Sequence, residues 1–455
     1  MRSKKRRSKK KNSFLIDVDG SVDSYYLDAL CSQEDLAPIS LRRDSYVEDA
    51  LSTGSLVCDL ITGGGWAPNR WITLFGPEAS GKSTLLYQAI KEMVTVEIPG
   101  EFFDHEASLD PVYAGGILEI NSIDDVFGRR GEGGKWDVLP KCRYHQPDIG
   151  EPVFRYIHNV LKALPDKLYR DGQWYLVFST PPGGTVTKKE RKKKKIKAKF
   201  SERLLTETGK YWFPVPDGKM QMVWFIDSLP AMVPEAKDED SSKNPLGAAA
   251  RMFSTYIPLI RSKLGRKRCA VIAVNQLRER IGKNFGNPEY EPCGNAPRFY
   301  SDIRLRLSAV SAPGGSGMLE EEPSCNKEGK DIYRYVNIRT IKNKVFVPFR
   351  KSVIRIWVSH NGQSGFGFDP FWDTYQYLLE TGQIEGTKRG FRLTIPGPWN
   401  NRGWKWNELK ELILNPNKRI VAKRFRLKKP ADLRAKCKKQ LRTGEAFNLY
   451  FKKIA

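Results

Sequence analysis

Residues 76–84 read Gly76-Pro77-Glu78-Ala79-Ser80-Gly81-Lys82-Ser83-Thr84. Two glycines with four residues between them, followed by Lys and a hydroxyl residue, form a complete phosphate-loop pattern. Gly76 and Gly81 let the backbone curl so that its N–H groups point inward at phosphate oxygens. Lys82 brings a point charge to the β- and γ-phosphates, and the Ser83 hydroxyl is placed to ligate Mg²⁺. The flanks suit that role. Trp71 to Phe75 reads as a buried strand, and Leu85 to Val94 continues as a helix whose N-terminus faces the anion. Strand, loop and helix in this order imply a nucleoside triphosphate site.

Outside the loop, short apolar strands alternate with helices. Helix 82–94 is followed by an apolar piece at Phe102-Phe103-Asp104, a helix from Pro152 to Leu164, and a strand from Met222 to Asp227. A helix around Gly247 to Leu264 and a strand from Cys269 to Asn275 come next. This rhythm predicts a mostly parallel sheet covered by helices on both faces, an α/β fold. Beyond it, Ile303 to Leu307, Tyr333 to Ile341 and Val353 to Val358 alternate apolar and polar residues as half-buried strands do. Upstream, Ser21 to Leu36 is weakly helical, and Gly63-Gly64-Gly65 makes a flexible turn before the loop strand.

Composition sets bounds on partners and setting. The chain has 455 residues and a net charge of +25, but the charge is unevenly placed. Residues 2–11 carry eight Lys/Arg and no acid; residues 188–199 carry nine against Glu190; residues 418–455 carry fourteen against Asp432 and Glu445. Those three runs exceed the charge of the whole chain, so the remainder is slightly acidic. Three basic appendages on an ordinary core suit a polyanion, most simply nucleic acid, although any single run also fits a solvated tail. Seven scattered cysteines with no Cys-x-x-Cys pair point to a reducing compartment and argue against a zinc site or disulfide framework. No apolar run is long enough for a membrane span and no hydrophobic signal segment follows Met1, so the expectation is a cytoplasmic protein without membrane contact.

Three segments follow: a basic tail with a short helical stretch (1–44), a core (45–360), and a small α+β domain with a basic tail (361–455) rich in Trp372, Trp404, Trp406 and a helical Asn407 to Leu414. Residues 165–220 interrupt the core with two aromatic pieces, Tyr175 to Phe178 and Tyr211 to Phe213, on either side of the lysine run. They read as an insertion, part folded and part disordered.

Binding a triphosphate is not hydrolysing it. Hydrolysis needs an acid to hold Mg²⁺ and a base to orient water. Asp227 ends an apolar strand, where a buried charge is costly unless a cation pairs with it. A strand-end Asp capping the next helix is the alternative. Glu106 follows the Phe102-Phe103-Asp104 strand; by spacing alone it fits an ordinary surface glutamate as well as a base.

Phe103-Asp104-His105-Glu106-Ala107-Ser108-Leu109-Asp110-Pro111-Val112-Tyr113 closely resembles the segment after the phosphate loop in bacterial RecA recombinases. So do Thr53-Gly54-Ser55-Leu56 with the triple glycine, and the loop itself. Further matches are Gln146-Pro147-Asp148, Gly247 to Met252, Asn275-Gln276-Leu277-Arg278, Phe285-Gly286-Asn287-Pro288, Gly294-Asn295-Ala296 and Lys342-Asn343-Lys344. They occur in family order from about 45 to 360, with gaps only at 128–141 and 165–220. The resemblance implies a RecA-like phosphate-loop ATPase core.

It also implies roles. Glu106 would be the general base, and Asp110 and Tyr113 would contact adenine. Gln276 would sense the γ-phosphate, and Lys342 and Lys344 would reach a neighbouring subunit's ATP; by spacing alone those lysines also read as a basic turn. With Lys82 these make the catalytic set. Two loops would hold DNA, one near Ala236 to Leu246 before the helix carrying Arg251, the other from Leu277 to Pro292 with Arg278, Arg280, Ile281 and Phe285. Leu246 and Ile281 are the wedge candidates between bases, and Asn295 belongs to the same DNA-facing set. Each loop alone could be an ordinary surface loop. The first loop begins with the acidic Asp238-Glu239-Asp240, and the chain ends basic where family members often end acidic.

The implied activity is a DNA-dependent ATPase that polymerises as a helical filament on single-stranded DNA and pairs it with double-stranded DNA, using ATP and Mg²⁺. Its setting would be nucleoid-associated or within an infected host cell. A RecA-fold ring helicase and a DNA-coating protein switched by ATP are the alternatives. Because the 165–220 insertion enters at the opposite sheet edge from the ATP and DNA loops, Lys188 to Lys199 is expected on a filament exterior, gathering duplex DNA or a partner.

Overall fold

The computed structural model describes residues 49–179, 205–207, 210–238, 247–279, 289–310, 333–357, 366–387, 390–399, 403–415 and 432–454. At its centre is an eight-stranded sheet. In chain order its strands are β1 (Trp71–Gly76), β2 (Gly100–Asp104), β3 (Cys142–His145), β4 (Met222–Asp227), β5 (Cys269–Gln276), β6 (Ile303–Val310), β7 (Tyr333–Asn343) and β8 (Lys351–Trp357). In space the order is β8-β7-β6-β1-β5-β4-β2-β3. From β6 to β3 every neighbouring pair is parallel, and β7 and β8 add antiparallel pairings at one edge.

Alternate residues of the central strands face two separate apolar layers. Ile72, Leu74, Val223 and Phe225 join one cluster, while Trp71, Trp224, Ile226 and Val271 join the other. The second layer is covered by the helices Gly150–Ala163 and Ala248–Lys267, which offer Val153, Phe154, Ile157, Leu161, Phe253, Ile257, Ile260 and Leu264. That spacing is the helical three-and-four repeat of an apolar stripe. Strands buried on both faces read as continuous apolar runs, as β4 and β5 do.

The C-terminal residues share the first layer. Helix Pro370–Glu380 contributes Phe371, Trp372, Tyr375 and Leu378, helix Trp406–Leu414 contributes Leu409 and Leu412, and helix Leu433–Arg442 contributes Leu433 and Leu441, all in the cluster that holds Leu60, Leu86 and Ile354. Asp373 fastens this region to the start of helix Leu56–Thr62. Its carboxylate accepts from the Ser55 hydroxyl at 2.5 Å and the Leu56 amide at 2.9 Å, and pairs with Arg434 at 2.7 Å.

By compactness, Asp166–Asp217 forms a unit of its own, apart from 44–165 and 218–455. Its described residues form a four-stranded antiparallel sheet: Asp166–Arg170, Gln173–Phe178, Lys210–Val215 and Leu205–Glu207, paired in that order. Both aromatic pieces of the insertion are therefore its strands, with Trp212 packed edge-on to Tyr175 at 5.7 Å. The expected gap at 128–141 holds a two-stranded ladder between Arg129–Arg130 and Trp136–Val138. The N-terminal tail, Lys188 to Lys199, Leu246, Arg280, Ile281 and Phe285 lie outside the described residues.

Candidate nucleotide site and its DNA-facing loops

Parallel register brings four strand ends to one edge. Gly76 at the end of β1 is level with Gln276 at the end of β5, and Asp104 at the end of β2 is level with Asp227 at the end of β4. Ligands of open α/β sheets bind at this carboxyl edge. The loop 77–81 leaves β1 there and enters helix Lys82–Thr95. Gly76 cannot carry a side chain, because a Cβ would lie 2.1 Å from the Leu307 carbonyl oxygen. Gly81 caps the helix at φ 85°, the left-handed region, with no side-chain cap on the first turn. The helix's leading N–H groups are thereby left for an anion.

A cavity of about 490 Å³ opens over the loop, lined by Glu78 to Thr84, Glu106, Tyr113, Asp227, Val274, Gln276, Arg334, Ile356 and Trp357. That volume falls within the usual range of small-molecule sites. Lys82 Nζ donates to the carbonyls of Gly76 at 3.2 Å and Pro77 at 2.5 Å. Burial lowers its pKa, while Asp227, Glu106 and Glu78 push the other way.

Ser83 Oγ donates to Asp227 Oδ2 at 2.7 Å. Asp227 is 2% exposed, and its pKa is pushed up to about 7. Burial is the main cause; Glu106 and Asp104 add to it, while Ser83 and Lys82 oppose it. A buried carboxylate beside a hydroxyl on a phosphate-loop helix is a hard oxygen donor set short of positive charge, which fits a magnesium ion. Among the described residues no cluster of three or more His, Cys, Asp or Glu forms a separate metal site.

Glu106 is exposed and stands two residues beyond β2. Its Oε1 accepts from the Ser228 hydroxyl and, at 3.4 Å, from Gln276 Nε2. Gln276 Oε1 in turn accepts from Arg278 at 3.2 Å. Asp104, which sequence reasoning passed over, holds the turn that presents Glu106. It accepts the amides of Glu106, Ser108 and Leu109 and the Tyr144 hydroxyl, at 3.0 to 3.2 Å. An acid ending a strand gives no sequence signal that separates this service from metal binding.

Tyr113 lines the cavity, its hydroxyl 2.8 Å from Thr84 Oγ1. Asp110 does not line it. Its Oδ1 caps helix Pro111–Leu118 by accepting from Val112 at 2.8 Å and Tyr113 at 3.2 Å. Lys342 and Lys344 are also absent from the lining. Lys342 Nζ donates to the carbonyls of Arg298 and Phe299 at 3.3 and 2.7 Å, and Lys344 pairs with buried Asp302 at 3.3 Å. Their positions leave them away from their own chain's nucleotide cavity.

The second loop has a defined base. Arg278 pairs with Tyr290 and Glu279 with Glu289 in a short antiparallel ladder. Its return arm is tied to β6 through Glu289–Arg306 at 2.6 Å and through the buried Glu291–Arg304 pair. Arg278 is exposed, as are Arg251 on helix Ala248–Lys267 and Asn295 at the N-cap of helix Ala296–Tyr300.

The model of the RecA N-terminal domain matches residues 10–128 and 215–362, passing over 129–214, which holds most of the insertion. The chain belongs to the RecA family. Curated relatives include Protein RecA of Gloeobacter violaceus, 28% identical over 67% of this chain and 60% of that protein. Protein RecA of Prochlorococcus marinus is 28% identical over 66% and 59%, and that of Borrelia turicatae 29% over 68% and 63%. This RecA-family chain thus spans about 60% of the length of the relatives it matches. A solved structure, the RadB recombinase, aligns with a TM-score of 0.37 at 15% identity, over 67% of this chain and 96% of that one. No described helix is long and apolar enough to cross a membrane.

Proposed function

We propose that this chain is a DNA-dependent ATPase that assembles as a filament on single-stranded DNA and catalyses homologous pairing and strand exchange. The observation that carries this reading is the unbroken hydrogen-bonded path Ser228–Glu106–Gln276–Arg278, running from the cavity to the base of the second loop. Family membership supports it.

In this reading the loop amides and Lys82 hold the phosphates, and Ser83 with Asp227 would hold magnesium. The ion supplies charge neutralisation at the transferring phosphoryl group. Glu106 orients a water and takes its proton. Gln276, bonded to both Glu106 and Arg278, links occupancy of the cavity to the DNA loop. Lys342 and Lys344 complete the site of an adjacent protomer, acting as an arginine finger does. Arg251, Arg278 and Asn295, with Leu246, Arg280, Ile281 and Phe285, contact DNA. The setting is the cytoplasm.

The test is a strand-exchange assay between homologous single- and double-stranded DNA with ATP and magnesium, with Lys82→Ala as control. ATP-dependent joint molecules are expected from the wild type and none from the variant. Unwinding without pairing would favour a motor, and DNA coating without pairing a switched coat protein.

A further inference from the structure

The cavity lining carries two chemically different sets of side chains. Glu106, Asp227, Gln276 and Lys82 are the groups that reaction at a γ-phosphate requires. Tyr113, Ile356, Trp357 and one cation that no motif of the sequence singled out, Arg334, make up the other. Arg334 stands on β7, in register with Ile356 of β8. Its NH1 donates to the Ala79 carbonyl at 2.8 Å, bridging 255 positions of sequence to the rim of the phosphate loop. Ala79 holds φ 53°, in the left-handed region, which turns that carbonyl out of the regular path. Burial raises the Tyr113 pKa; the Thr84 hydroxyl and the nearby charge of Arg334 oppose it, so phenol and guanidinium share one compartment.

A guanidinium is planar and carries five N–H donors, and one bond to Ala79 leaves its flat face and remaining donors available. Tyr113 and Trp357 line the same cavity, and aromatic faces suit a flat ring. We propose that Arg334 is a nucleotide-binding residue that stacks on the base of the bound nucleotide, across the ring from Tyr113. This rests on the cavity being a nucleoside triphosphate site. It adds a base-end contact supplied by β7, far in sequence from the phosphate loop.

The alternative role for Arg334 is only to shape the loop through Ala79. The two roles separate when ligands with and without a base are compared. Full-length protein is titrated calorimetrically with ADP and, separately, with inorganic tripolyphosphate. Arg334→Ala is expected to weaken ADP roughly five- to thirtyfold, the range of a desolvated cation–π contact, and to leave tripolyphosphate affinity unchanged. Arg334→Lys is expected to recover only part of the loss, because an ammonium is not planar. Equal weakening of both ligands, or no change in either, would overturn the proposal. Failure of the wild type to bind ADP at all would instead remove the nucleotide-site reading. Lys82→Ala, which strikes the phosphates, should weaken both ligands and calibrates the comparison.

Discussion

Gln276 Nε2 donates to Glu106 Oε1 at 3.4 Å, joining the end of β5 to the turn after β2 across 170 positions of sequence. The same side chain accepts from Arg278 at the root of the second loop. One side chain thus touches both Glu106, the proposed base, and Arg278, at the root of the loop proposed to meet DNA.

Glu106→Gln keeps the shape of the side chain and its turn, which Asp104 secures through backbone amides, and removes the base. ATP turnover is expected to fall by about 10²–10⁴-fold, the usual worth of a positioned base. ADP affinity should stay near that of the wild type. Steady-state rates and an ADP titration check both halves; a variant with ordinary turnover would remove Glu106 from the chemistry.

Gln276→Ala cuts the link without touching the loop 76–84. Nucleotide binding is expected to persist, while single-stranded DNA loses its influence on turnover. Rates measured with and without DNA give the coupling directly. Stimulation equal to that of the wild type would mean the signal travels by another route.

Asp227 gives a pH dependence whose sign follows from linkage. Burial raises its pKa from 3.8 to about 7, so between those values the folded chain holds a proton that the unfolded chain has released. Stability from this group is present at low pH and is lost as pH rises toward and through 7. Asp227→Asn removes the penalty. Without magnesium, the variant's melting temperature relative to wild type should therefore be more favourable at pH 8 than at pH 5. An equal difference at both values would contradict the buried, charge-poor environment.

Asp373 is 1% exposed and anchors Ser55, the Leu56 amide and Arg434. Asp373→Ala leaves the Ser55 hydroxyl without its acceptor and the Arg434 guanidinium without its counter-charge, with only the neutral acceptors Pro370, Thr374 and Gly54 remaining, at a cost of about 3–5 kcal/mol. Urea unfolding measures it. A loss below about 1 kcal/mol, the level of an exposed ion pair, would show that the pair is solvated.

How far the sequence carries depends on whether a signal is local. β4 is apolar from Met222 to Ile226 and ends on Asp227, so its composition reveals both bounds. The strand β3 escaped because Arg143, Tyr144 and His145 give it no apolar run; it lies at the sheet edge, where Cys142 alone is buried. The insertion's aromatic pieces were visible as apolar stretches, but their pairing with one another across 179–204 was not. In the site, the loop and Asp227 follow from pattern, and Glu106 and Gln276 needed the family resemblance. Asp104 and Arg334 act through contacts made only on folding. Arg334 reads in sequence as the polar position of a half-buried strand, and nothing near it in the chain hints at Ala79. Asp110 shows the converse: the helix beginning at Pro111 uses its carboxylate as a cap, a role its place just before that proline already suits.

Neither Lys342 nor Lys344 lines the cavity of its own chain, and in the proposed reading they complete the hydrolytic site of a second protomer. ATP turnover measured against protein concentration, with and without single-stranded DNA, tests this most directly. The expected result is slow turnover by dilute protomers that rises steeply, per protomer, with concentration and with added DNA. Full-speed hydrolysis by isolated protomers, the same with or without polynucleotide, would contradict it.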